Sequence, residues 1–86
     1  MRVIIEVLLH DREQKVSMPQ GARPLWIGIA RGVPSVSVLM NTDAELVEKT
    51  LRTIASDEPF DETSFKSDYI GSYEYENRMY HVVMVA

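Results

Sequence analysis

Side chains able to do chemistry are few and scattered in this 86-residue chain. There are two histidines, His10 and His81. Their separation is nothing like the i, i+2 or i, i+4 spacing that brings two imidazoles to one metal ion. His10 falls in a polar break, and His81 lies between Tyr80 and Val82 in an apolar run, where packing and one hydrogen bond are its ordinary role. Asp57, Glu58, Asp61 and Glu62 flank Pro59 but lack the alternation and the glycine of a calcium loop. Hydrolysis by paired carboxylates needs two groups held rigidly about 5–9 Å apart across a cleft, whereas this stretch reads as a solvated loop. No Gly-x-Ser-x-Gly elbow, glycine-rich phosphate loop or Walker-type lysine is present. Cysteine is absent, so disulfides and thiolate metal sites are excluded. These readings point to a protein that is not an enzyme and carries no metal or cofactor.

The aromatic and arginine residues are more suggestive. Trp26, Tyr69, Tyr73, Tyr75 and Tyr80 stand in the chain near Arg23, Arg31 and Arg78. Aromatic faces beside guanidinium groups suit stacking and phosphate capture in a small-molecule pocket. They equally suit a protein interface, where Trp, Tyr and Arg dominate the energy, or a plain sheet, in which tyrosine is a common residue. Arg23, Trp26, Arg31, Tyr73, Tyr75, Arg78, Tyr80 and His81 are therefore the candidate ligand- or partner-binding residues.

The elements that position them read mostly as strands. Val3, Ile5, Val7 and Leu9 recur at period two, with Ile4 and Leu8 on the other face around Glu6. His10 to Glu13 is a polar break of hairpin-loop length. Val16 and Met18 continue a second strand, which Pro19 ends, and Gln20 to Pro24 reads as a loop. Leu25, Ile27 and Ile29 alternate with Trp26, Gly28 and Ala30, and Gly28 suggests a bulge or the close approach of another backbone. Gly32-Val33-Pro34 reads as a turn leading to a fourth strand with Val36, Val38 and Met40 on one face. Tyr69, Gly71, Tyr73 and Tyr75 fall on one face of a later strand. Glu76-Asn77 is a two-residue turn, and Met79 to Val85, apolar on both faces, is a central strand. Residues 43–55 are ambiguous. Thr42 and Glu45 have capping-box spacing and Val47, Leu51, Ile54 and Ala55 share a helical face, while Thr50, Leu51, Thr53 and Ile54 suit a strand.

A family resemblance bears on that choice. His10-Asp11-Arg12-Glu13-Gln14 followed by Met18-Pro19-Gln20-Gly21-Ala22-Arg23 resembles the opening of a family of small proteins encoded by tailed phages and prophages. Leu51-Arg52-Thr53-Ile54 is similar to that family's aromatic-Arg-x-Ile strand, and Tyr69-Ile70-Gly71-Ser72 with Tyr80-His81-Val82 to its closing hairpin. The chain departs from the family at Ala55-Ser56-Asp57-Glu58, where the family tends to have Gly-Thr-Gly before a proline. The resemblance implies a strand from about Glu48 to Ala55, and Thr50 and Thr53 are indifferent helix formers. The fold expected is thus a mainly β, antiparallel barrel or sandwich of six or seven strands in one domain, with α+β and a helix at 43–55 as the alternative.

Composition limits the partners. The formal charge is −4, from 13 acidic and 9 basic residues, which is unsuited to gripping a phosphate backbone. The interleaved acids do not form the dense face of a nucleic-acid mimic either. No apolar run approaches the roughly 18 residues that span a bilayer, and the Glu6-bearing first segment reads as a strand and not a signal peptide, so a cytoplasmic setting is expected. A chain this short buries only about 60–65% of its unfolded surface, which favours self-association. The resemblance implies a phage setting inside a host cell. The function expected first is a non-enzymatic accessory protein that binds and inhibits a host protein, such as an anti-phage defence component. The second is a homo-oligomeric sponge for a nucleotide immune signal, and the third a small phage structural or assembly protein.

Overall fold

The computed structural model describes residues 1–59 and 68–85. Seven strands follow in chain order: β1 (Arg2–Leu8), β2 (Glu13–Pro19), β3 (Arg23–Ala30), β4 (Val33–Asn41), β5 (Leu46–Ala55), β6 (Asp68–Tyr75) and β7 (Arg78–Val85). They form two antiparallel sheets, ordered β1-β4-β3 and β2-β5-β7-β6. The mainly β architecture expected from the alternation is present, and no helix occurs among the described residues.

Direct partners in an antiparallel ladder share a face. Val3, Ile5 and Val7 pair with Met40, Val38 and Val36, and Ile27 lies opposite Val36 on the other side. This face meets Met18, Leu51, Val82 and Met84 of the four-stranded sheet to make the core. A least dimension of 17 Å fits two layers whose backbones lie about 10 Å apart. The sheets close on each other where β3 packs against β6. There Gly71 faces Ile27 so closely that an added Cβ would lie 3.4 Å from Ile27 Cδ1.

Residues 43–55 contain no helix. Leu51 pairs with Gln14 of β2 and Met84 of β7, so β5 uses both backbone edges, and this outweighs the weak preference of a short helix. The residue organising the preceding turn is Asn41, whose side chain accepts from the Asp43 N–H at 3.0 Å, an Asx-type turn. β7 is central, between β5 and β6, as its two apolar faces suggested.

Four local expectations are corrected. His10 to Glu13 does not close a hairpin, because β1 and β2 belong to different sheets. Leu9 N–H donates to Pro34 and Thr53 N–H donates to Arg12, so the segment arches from one layer to the other. The β3–β4 turn is Arg31-Gly32, with φ of 53° and 79°, and Val33 and Pro34 already belong to β4. Proline is tolerated there because its missing N–H faces the place where β1 ends. The bulge in β3 lies between Pro24 and Trp26, not at Gly28. Tyr69 does not share a face with Tyr73 and Tyr75, because a second bulge between Tyr69 and Gly71 turns it to the opposite side. The Glu76-Asn77 turn forms as read, with φ of 50° and 64°.

Candidate functional site

The eight candidate residues fall in five places. Tyr73, Tyr75 and Tyr80 line a cleft of about 360 Å³ at one end of the sandwich, together with Arg12, Asp11 and the buried Thr53. Register places Tyr73 opposite Tyr80 on the inward face, where their rings stack at 5.3 Å. Arg12 and Arg78 each hold a guanidinium over the Tyr80 ring, at 5.5 and 5.8 Å from its centroid. Tyr75 Oη donates to the Gly32 carbonyl at 3.2 Å and ties β6 to the β3–β4 turn. Arg31 occupies the tip of that turn and is exposed, but does not line the cleft.

The cleft is electrostatically mixed. Arg12 donates to both carboxylate oxygens of Glu58, at 2.9 and 2.8 Å, and this pairing raises its pKa further above the usual arginine value. Burial raises the Tyr73 phenol above the usual tyrosine value, opposed by a hydrogen bond with Thr53. Arg12, which joins the aromatic set here, lies in the stretch whose sequence reads as a polar break of hairpin-loop length. Its role depends on the arch between sheets, which no local signal announces.

Trp26 does not line this cleft; it lies on the outer face of the three-stranded sheet and is 67% exposed. Its indole lies over Gly28, where an added Cβ would come within 2.1 Å of the ring. The feature lying close to this glycine is therefore a side chain, not a backbone. Ser35, opposite Gly28, is buried. Ile4 and Leu8 project from β1 on the same outer face and are exposed. Arg23 lies at the other end of β3, in a depression of about 150 Å³ shared with Arg2, Gly21 and Asn41.

His81 faces outward from the four-stranded sheet, opposite Ser72 and Ile54. Its Nδ1 lies 2.9 Å from Tyr69 Oη and its Nε2 lies 2.9 Å from Ser56 Oγ. A serine within hydrogen-bond reach of an imidazole is the first half of an activated nucleophile. Here, though, the group orienting the histidine is a phenol, which supplies no anion to stabilise an imidazolium. Ser56 and Tyr69 were not readable as its partners, because the bulge before Gly71 alone brings Tyr69 to this face. Among the described residues no three histidine, aspartate or glutamate side chains could hold a metal ion. Asp61 and Glu62 of the acidic stretch lie outside the described residues. Among the described residues no helix is long and apolar enough to cross a membrane.

Fold and surface together define a two-sheet antiparallel β sandwich with an exposed tryptophan on one outer face and a tyrosine-lined cleft at one end. Comparison with family models, curated proteins and solved structures yields no match to this chain.

Proposed function

We propose that this is a non-enzymatic binding protein that holds another protein against the outer face of its three-stranded sheet. The observation that carries this reading is Trp26, 67% exposed on a face it shares with the exposed Ile4 and Leu8. A large exposed aromatic side chain is a usual anchor of a protein interface, and Glu6, across Ser37 from it, would add a charged rim. A phage setting, with a host protein as the partner to be inhibited, is supported by the sequence resemblance alone.

Capture from a host lysate tests the reading. The wild-type chain should retain a defined protein that Trp26→Ala, still folded by circular dichroism, releases and that Arg78→Ala still retains. Loss with Arg78→Ala alone would move the contact to the cleft, and failure to retain any protein would remove the reading.

The stacked Tyr73–Tyr80 pair favours a second reading, a flat small molecule held in the cleft. Asp11 and the Glu58 carboxylate paired with Arg12 oppose an anion there. For the nucleotide sponge, a ligand at about 100 times its Kd should add about 2.7 kcal/mol to stability. A panel of cyclic nucleotides that leaves Tm unchanged would remove it.

A further inference from the structure

The four sheet edges are not equally protected. β3 carries Pro24 and a bulge, and β6 also carries a bulge. β2 carries Lys15 at its middle and ends in Pro19. These are usual defences against edge-to-edge pairing. β1 carries the charges Arg2 and Glu6, of opposite sign, but pairs with β4 in unbroken register and has neither proline nor bulge. It also overhangs the layer beneath, since Ile5 points inward yet is 45% exposed.

The hydrogen bonds at its two ends show which backbone groups of β1 are free. Leu9 N–H donates to Pro34, and the Met1 carbonyl accepts from Thr42 N–H. Odd-numbered residues therefore bond toward β4, and the N–H and C=O groups of Arg2, Ile4, Glu6 and Leu8 point away from it. The Leu8 carbonyl is already taken, because Gln14 Nε2 donates to it at 2.9 Å. That leaves Arg2, Ile4 and Glu6.

We propose that β1 pairs with β1 of a second copy of this chain, antiparallel about a two-fold axis at Ile4. This register sets Ile4 against its own symmetry mate and sets Arg2 of each copy opposite Glu6 of the other. Three residue pairs each exchange two backbone hydrogen bonds, and they use the free groups that Gln14 leaves. Two opposite-charge pairs flank an apolar pair on the outer face, while Val3 meets Ile5 on the inner side. A register centred one residue later would set Arg2 against Leu8, whose carbonyl Gln14 occupies, and would pair neither charge with its opposite. The product is a continuous six-stranded sheet. Its two Trp26 side chains then lie on one face, on strands about 24 Å apart at five strand spacings. The pairing does not depend on any outside partner.

Sedimentation equilibrium across a concentration series tests this with exposed residues that leave the core intact. The wild-type chain should form a dimer. Arg2→Glu places carboxylates opposite each other at both pairs and should raise the dimer Kd by about tenfold or more. The double variant R2E/E6R should restore wild-type affinity. Because the chain has no cysteine, Ile4→Cys reports the register alone, and it should cross-link to its mate on oxidation where Ile5→Cys does not. A monomer at every concentration up to about 1 mM would overturn the proposal. So would a dimer indifferent to Arg2→Glu, a swap that fails to rescue, or cross-linking through Ile5→Cys instead.

Discussion

The two sheets treat their outer faces differently. On the four-stranded sheet, Glu13 and Arg52 lie opposite each other and within 3.5 Å, and Lys15 faces Thr50 and Ser17 faces Glu48. Along the β2–β5 pairing, that is the apolar-in, polar-out alternation of a sheet with one solvated side. On the three-stranded sheet the inner face is equally apolar, yet Ile4, Leu8 and Trp26 stand exposed on the outer one. Both outer faces expose some large apolar side chains, Leu46, Tyr69 and Met79 on the larger sheet, but only the smaller sheet exposes an indole, 67% open to solvent. The proposed protein contact rests on that exposed indole, which the core does not use.

That contrast can be attacked from the inside first. Leu51 is 1% exposed in the shared core, so Leu51→Ala should cost about 2–5 kcal/mol. Trp26→Ala should change stability by no more than about 0.5 kcal/mol. Urea denaturation of both variants decides it, and a comparable loss for Trp26→Ala would make the outer face structural. A smaller effect is expected from Gly28→Ala. The new methyl group displaces the far end of the indole, a side chain with open space around it, so the Tm should hardly move while retention of the captured protein falls. An unchanged capture would separate the Trp26 orientation from binding.

The smallest effect concerns the cleft. The Tyr73 pKa is raised by burial, so the neutral phenol is favoured by folding. Its contribution to stability is complete below the unfolded tyrosine pKa of about 10 and is lost as pH rises through the higher folded value. Tm should therefore fall above about pH 10, and Tyr73→Phe should reduce that fall. An identical alkaline profile for the variant would show that Tyr73 is not responsible.

The strands were legible because alternation at Val3-Ile5-Val7, Val36-Val38-Met40 and Tyr73-Tyr75 is local. Which sheet each strand joins was not. A four-residue polar break such as His10 to Glu13 serves a hairpin or an arch equally well, and the choice is made by partners far along the chain, Pro34 and Thr53. Trp26 stood out in the sequence as the large residue on an otherwise small face. Arg12 beside Tyr80, and Tyr69 beside His81, were hidden because one depends on that arch and the other on a one-residue bulge that inverts the period-two reading. Thr42 and Glu45 imitated a helix start, but β5 has a ladder on each side, and only the assembled sheet reveals that.

The indole over Gly28 is the only one in the chain, which makes it an optical reporter. Because it sits in water in the folded state, its emission should resemble that of free tryptophan and change little on unfolding. A blue shift would then signal that something has covered this face, so occupancy could be followed in solution without a label.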